Sequence, residues 1–496
     1  ILRRAIESVR GQIYENWELC IADDRSTLGH VREILEEFAA ADTRIKVVFR
    51  NENGHISAAS NSALELATGR FIALLDHDDE LAPHAFYFVA KEINAHPDSD
   101  IIYSDEDKTD ERGRRFAPFF KPDWSPDLLY SVNYVNHLTV YRTELLRECG
   151  GFRVGFEGSQ DYDVLLRMVE RTKPENIRHI PKVLYHWRAV AGSVAQAADE
   201  KPYAHGRARA AIAEHFERTG VSANVVRGVG QLHRVVYELP KPEPMVSIVA
   251  AAGDHDRLYD AIASTTRLPF ELISAGAARP SNSRIKFIDS DESALFISLN
   301  RGAHAAVGAV ICFLTGDAIE FSEDWLSTLV GHALQEGVGA AGPMIIDRDG
   351  KIHNAGFTIG LAGAAASVFE GEPVSPRGRS LRLDVVQNVS AISVGCMVIR
   401  KELFHDVGGF DGENFGTAYG DVDLCLRLIE SGLRNVWTPW ATVIEQGRSA
   451  ENDRSELVRL RSKWPTYFAA DPYYNPNLSL DSADMSLAQP PRMTRF

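Results

Sequence analysis

Apolar residues in this chain come in short runs separated by amphipathic stretches. Trp17-Glu18-Leu19-Cys20-Ile21-Ala22 has the pattern of a buried strand and stops at Asp23-Asp24-Arg25-Ser26. Helical spacing follows over residues 31–40, then a strand over Ile45-Lys46-Val47-Val48-Phe49 and a turn at Asn51-Glu52-Asn53-Gly54. A helix over residues 57–67 leads into the apolar strand Arg70-Phe71-Ile72-Ala73-Leu74-Leu75. Strands alternating with helices at this spacing predict an α/β layer fold with a mostly parallel, Rossmann-like sheet. In such sheets ligands gather at the carboxyl ends of strands. Both acidic clusters, Asp23-Asp24 and Asp76-His77-Asp78-Asp79, fall at such ends. The chain opens on a helical pattern, Leu2-Arg3-Arg4-Ala5-Ile6-Glu7-Ser8-Val9, so the first domain is expected to lack its N-terminal strand.

The pattern then repeats. Asn61, Gly69 and Asp78 stand eight and nine residues apart, and Asn300, Gly308 and Asp317 keep the same intervals. The strand before Asp317 reads Ala309-Val310-Ile311-Cys312-Phe313-Leu314. Further on, Gly150-Gly151-Phe152 and Gln160-Asp161-Tyr162-Asp163 are matched by Gly408-Gly409-Phe410 and Gly420-Asp421-Val422-Asp423. Two related domains in tandem are expected. Glu238-Leu239-Pro240-Lys241-Pro242-Glu243-Pro244 is a stiff linker between them, and Met245-Val246-Ser247-Ile248-Val249-Ala250 supplies the opening strand of the second. The expected boundaries are 1–238, 239–471 and a turn-rich tail over 472–496.

At 496 residues the chain is too long for one ordinary core and suits two domains of roughly 200 to 250 residues. A net charge of −16 with 45% hydrophobic residues argues against nucleic acid as the main partner, because phosphate backbones call for basic surface. Five scattered cysteines without a CxxC pair indicate neither a disulfide framework nor a zinc site, and point to a reducing cytoplasm. No apolar run reaches the roughly 18 to 20 residues of a membrane span, and no basic amphipathic helix stands out, so membrane contact is expected to be peripheral at most.

Asp76 and Asp78 put two carboxylates on a tight turn after a buried strand, where both can face one hard cation such as magnesium or manganese. The alternative is that Asp78, Asp79 or Glu80 caps the helix beginning near Pro83. Asp161 falls in the first turn of a helix, where a carboxylate complements the helix dipole or serves as a general base. His186 in Leu184-Tyr185-His186-Trp187-Arg188 is a metal ligand or a packed, hydrogen-bonded histidine. Asp23 and Asp24 accept hydrogen bonds from a base or ribose, or make an Asx-type turn with Ser26.

The order of these features resembles family 2 glycosyltransferases over nearly the whole chain, twice. The resemblance rests on Asp23-Asp24-Arg25-Ser26, the helix from Asn61 to Gly69, Asp76-His77-Asp78, Tyr103-Ser104-Asp105-Glu106-Asp107, Gly150-Gly151-Phe152 and Gly158-Ser159-Gln160-Asp161-Tyr162-Asp163. The second half, with Asp471-Pro472-Tyr473-Tyr474-Asn475-Pro476-Asn477-Leu478, is similar to the partner domain of bacterial tandem enzymes of O-antigen and cell-surface polysaccharide synthesis. The resemblance implies two GT-A domains, a nucleotide-diphosphate sugar donor, a divalent cation, inversion at the anomeric carbon, and a glycan or lipid-linked glycan as acceptor. By that carry-over Asp23 and Asp24 contact the nucleoside, Asp78 the metal and diphosphate, and Asp76 the ribose or the metal's surroundings. Asp161 takes the acceptor proton, and His186 stands near the metal. The expected setting is cytoplasmic, at the inner face of the plasma membrane.

The second copy departs from this set. Thr315 stands where Asp76 stands, Ala275-Gly276-Ala277 replaces the acidic turn, and Glu445 holds the histidine position. Asp317, Asp421 and Asp423 remain, the first as metal ligand and Asp421 as base by the same carry-over. The first domain is therefore expected to transfer sugar, and the second to be weakened, changed in donor, or kept to bind acceptor glycan. A glycan-binding or assembly scaffold of decayed transferase domains is the rival reading.

Overall fold

The computed structural model describes residues 1–189, 202–251, 253–290, 294–315, 318–374, 381–446 and 453–493. The chain divides into two compact units, Ile1–Trp124 with Asn133–Val226, and Ser125–Val132 with Arg227–Phe496. The break falls ahead of the proline-rich segment, and residues 125–132 belong to the second unit although both flanks lie in the first. They are anchored by chemistry in that unit. Buried Asp127 accepts from Arg434 Nε at 2.6 Å and from Asn388 Nδ2 at 2.8 Å, and Ser125 Oγ donates to Asn388 Oδ1 at 2.9 Å.

In the first unit β1 (Leu19–Asp23) and β2 (Ile45–Phe49) form a parallel pair. The helices Leu2–Arg10 and Gly29–Ala41 cover it, burying Ile6, Leu35, Phe38 and Ile45 together. A second sheet contains β3 (Phe71–Ala73), β4 (Glu80–Leu81), β5 (Ile101–Thr109), β6 (Arg115–Phe119), β7 (Thr139–Arg142) and β8 (Ile177–Arg188). Its order is β3-β7-β5-β8-β4, with β6 paired to β5. Ile102, Leu138, Val140, Ile180 and Leu184 pack beneath Phe88 and Val89 of the helix Ala85–Ala95. β5 and β8 run parallel, and their register shifts between Ser104 and Glu106. Such an irregularity re-aims side chains locally, and it falls mid-strand at the acidic run Asp105, Glu106 and Asp107.

Strand β9 (Ala223–Arg227) spans the division, and β10 (His233–Tyr237) follows it. The second unit then builds a ten-stranded sheet. Its parallel part comprises β11 (Val246–Ala251), β12 (Phe270–Gly276), β13 (Ile285–Asp289) and β14 (Val310–Thr315), in the order β13-β12-β11-β14. β15 (Ala318–Phe321) and β16 (Val338–Asp347) follow. β17 (Ile352–Asn354) pairs with β16, while β18 (Phe357–Ile359) and β19 (Ala365–Ser367) form a separate two-stranded sheet. β20 (Gln387–Val389), β21 (Cys396–Arg400) and β22 (Arg434–Glu445) complete the count. Beyond β14 the order continues β21-β16-β22-β15. Val310, Cys312 and Leu314 enter one apolar cluster while Ile311 and Phe313 enter another, so β14 is covered on both faces. That is why parallel strands read as unbroken apolar runs.

The repeat seen in the sequence holds in the pairing. Phe71 faces Arg142 across β3 and β7, and Val310 faces Arg400 across β14 and β21. Glu80 faces His186 across β4 and β8, while Ala318 faces Glu445 across β15 and β22. The α/β class is present in both units. Among the described residues of the first unit no strand pairs with both β1 and β3, whereas β11 pairs with both β12 and β14.

Candidate active site

The acidic turn after β3 is a real cluster. Asp76, Asp78 and Asp79 each offer a carboxylate oxygen within 4.8 Å of the others, with Asp76 exposed, Asp78 half-buried and Asp79 buried. Asp79 does not cap the following helix, whose N-cap residue His84 makes no side-chain cap bond. It turns inward instead, accepting from Tyr185 Oη at 2.6 Å and from the Arg188 N–H at 2.8 Å. Burial pushes its carboxyl up to about 7 despite those bonds. Asp76 and Asp78 are left facing outward as the oxygen pair that a hard cation prefers.

His137, just before β7, ties this turn to the rest of the site. Its ring stacks on Tyr185 with centroids 4.7 Å apart, and Nε2 lies 3.9 Å from Asp76 Oδ2. Glu106 of β5 accepts from the His137 backbone N–H at 2.5 Å and lies 3.3 Å from Nδ1. Burial works against the charged imidazole, yet Glu106 and Asp76 outweigh it and its pKa is pushed up to about 9. Against the burial that raises it, Lys121 and His137 hold the Glu106 carboxyl down at about 2. Lys121, fully buried, lies 3.5 Å from Glu106 Oε2 and donates to the His137 carbonyl at 2.5 Å.

Asp161 lies in the first turn of the helix Gln160–Val169, within the electrostatic reach of His137 and Asp76. Its Oδ2 accepts from Asn133 Nδ2 at 2.9 Å and Asn136 Nδ2 at 2.6 Å. Burial raises its pKa while His137 pulls the other way. Its neighbour Asp163 is fully committed to structure, pairing with Arg153 and Arg167. His186, on β8, contacts Asp107 Oδ1 through Nδ1 at 2.6 Å. A carboxylate on one ring nitrogen fixes the tautomer and turns the other toward a ligand.

At the end of β1 the acidic pair is held by its own loop. Asp23 Oδ2 accepts from the Ser26 N–H at 3.3 Å, the Asx-type turn considered from the sequence. Asp24 accepts from Arg50 Nε at 2.8 Å and from the Gly54 N–H at 3.0 Å, locking the β1 end to the loop after β2. Among the described residues neither Asp23 nor Asp24 is hydrogen-bonded to the β3 turn, so the two acidic clusters stand as separate groups at strand ends.

His137, Asn133, Asn136, Lys121 and Tyr185 were not singled out from the sequence. Each reaches its partner across the fold. Glu106 was visible only as part of an acidic run, and nothing in that run distinguishes its inward direction from that of its neighbours.

The second unit keeps the frame and changes the contents. Asp317 lies outside the described residues. Asp421 accepts from the Val394 N–H at 2.9 Å and the Val422 N–H at 2.8 Å, and burial pushes it up to about 6. Glu445 is buried and pairs with His353 Nδ1 at 2.8 Å. In register with β7, Gly395 occupies the His137 position, Val394 that of Asn136 and Ala391 that of Asn133. A Cβ on Gly395 would lie 2.9 Å from Glu445 Oε1, so a histidine does not fit there without displacing that carboxylate. Opposite Glu445, β16 places Asp347 where β5 places Asp107 opposite His186, and one residue earlier Ile346 stands where β5 has Glu106.

Comparison with known proteins follows the same division. The sequence pattern described as Glycosyl transferase family 2 matches residues 1–150 and 270–408. An uncharacterised protein, y4gI of Sinorhizobium fredii, is 42% identical over 99% of this chain and 57% of its own length. The O-antigen biosynthesis protein RfbC of Myxococcus xanthus is 34% identical over 99% of this chain and 40% of its own length. The chain thus spans about half the length of these relatives. A solved structure of S. aureus TarS 1–349 with UDP-GlcNAc superposes with a TM-score of 0.35 at 20% identity, covering 43% of this chain and 62% of that one. Among the described residues no helix is long and apolar enough to cross a membrane.

Proposed function

The chain belongs to glycosyltransferase family 2, and on that premise we propose that its first unit moves a sugar from a nucleotide-diphosphate sugar to a hydroxyl of a growing polysaccharide or lipid-linked glycan, with inversion. The observation that carries this reading is the position of His137, 3.9 Å from Asp76 of the acidic turn and linked through Asn136 Nδ2 to Asp161. Asp78, with Asp76, holds a manganese or magnesium ion together with the donor diphosphate. The donor set fits, being carboxylate oxygens on an open turn with a buried third acid behind them. Such a cation, when bound, stabilises charge on a departing diphosphate. His186, held by Asp107 through Nδ1, is assigned to the metal's neighbourhood by the family resemblance, and Asp23 with Asp24 to the nucleoside.

Asp161 takes the acceptor proton as the hydroxyl oxygen attacks C1 of the sugar. A carboxylate whose burial raises its proton affinity suits general-base work near neutral pH. The protein works in the cytoplasm at the inner face of the plasma membrane, with peripheral contact only. For the second unit, with Ala391, Val394 and Gly395 at the positions of Asn133, Asn136 and His137, the reading is a domain weakened, changed in donor, or kept to bind acceptor glycan.

Calorimetric titration with manganese and UDP-, GDP- and dTDP-sugars tests the assignment. Metal-dependent binding lost with Asp78→Ala and kept with Asp317→Ala supports it. A second binding event that Asp317→Ala removes would make both units donor sites, and no binding at all would favour the scaffold.

A further inference from the structure

Both amides on Asp161 reach the same oxygen, Oδ2. Two donors on one oxygen fix the rotation of the carboxylate, setting which oxygen faces the amides and which faces away. Because amides are neutral, they orient Asp161 without cancelling its charge, whereas a cationic partner would make it a weaker base. Asn136 is itself held, its Oδ1 accepting from Thr139 Oγ1 at 3.3 Å. Asn133 Oδ1 is buried with no hydrogen-bond partner. An unsatisfied buried oxygen costs stability, and an apolar residue of similar size would avoid that cost, so packing alone does not account for Asn133.

The second unit provides the contrast. Asp161 also accepts from backbone N–H groups of its own helix turn, but with Ala391 and Val394 at the asparagine positions Asp421 is held, among the described residues, by backbone N–H groups alone. We infer that Asn133 and Asn136 are positioning residues, a side-chain clamp that holds Asp161 in the orientation from which it accepts the acceptor proton. The inference rests on the reading of Asp161 as the base.

The test is the initial rate of nucleoside-diphosphate release, with water as acceptor, from whichever of the UDP-, GDP- and dTDP-sugars binds. Asp161→Asn is expected to lower kcat by at least about 100-fold. Asn133→Ala and Asn136→Ala are each expected to lower it about 10-fold and the pair about 100-fold, with donor KM within about twofold. The near-isosteric Asn133→Asp and Asn136→Asp are expected to be worse than the alanines, because a second carboxylate repels Asp161 while preserving size. A role in packing alone gives the opposite order. Melting temperatures accompany each rate, and where Asn136→Ala fails to fold the Asn133 variants decide. If the alanine variants keep kcat, or the aspartates are the milder pair, while Asp161→Asn is inactive, the clamp is refuted and the base stands. If Asp161→Asn keeps its rate, the base assignment itself fails.

Discussion

In the second unit β11 is hydrogen-bonded to β12 on one side and β14 on the other, whereas in the first unit β1 and β3 belong to separate sheets. The effect on burial is direct. Every residue of β14 is buried, and every residue of β3 is only half-buried. The acidic turn runs the other way among the described residues, since β3 leads into Asp76, Asp78 and Asp79 while β14 ends in Thr315. The contacts of Glu106, His137 and His186 lie on the sheet β3-β7-β5-β8-β4.

The comparison breaks most sharply if the units are made alike. Asp76→Thr installs the second unit's residue in the first, and nucleoside-diphosphate release should fall by at least the ~10–100-fold that supporting groups of a metal site are worth. Unchanged release would mean that the missing carboxylate is not what separates the two units.

A smaller effect concerns Asp421, pushed up to about 6 by burial. A carboxyl whose folded pKa is raised binds its proton more tightly in the folded state than in the unfolded one. Its stabilising contribution is full below the unfolded value near about 4 and is lost as pH rises through about 6. Relative to Asp421→Asn, the native chain should lose up to about 3 kcal/mol between pH ~4 and ~7. Parallel melting-temperature profiles for the two proteins would remove this difference between Asp421 and an ordinary surface acid.

The smallest effect is dynamic. Amides of β1 and β2 should exchange with solvent about 10-fold or more faster than those of β12 and β13, because the latter pair is anchored to β11. Equal protection would show that the paired layer of the first unit is as secure as the larger sheet.

Much of this was legible in the sequence. The matched intervals around Gly69 and Gly308 fixed the repeat, because a strand followed by an acidic turn leaves a local signature. Asp76, Asp78 and Asp161 were found because they sit at the ends of elements whose periodicity can be read. His137 and the two asparagines were not, since they lie in the stretch before β7, where neither helical nor strand periodicity marks a direction. Their roles come from contacts to Asp161, Glu106 and Asp76, which are distant in sequence. The assignment of residues 125–132 to the second unit was hidden for the same reason, because it depends on Asn388 and Arg434.

The central claim is that chemistry resides in the first unit. Its most direct test is the rate of nucleoside-diphosphate release by Asp161→Asn and Asp421→Asn measured side by side. A loss of about 100- to 10,000-fold for Asp161→Asn, with Asp421→Asn within about threefold of the native rate, is the predicted result. Loss with Asp421→Asn and retention with Asp161→Asn would contradict it.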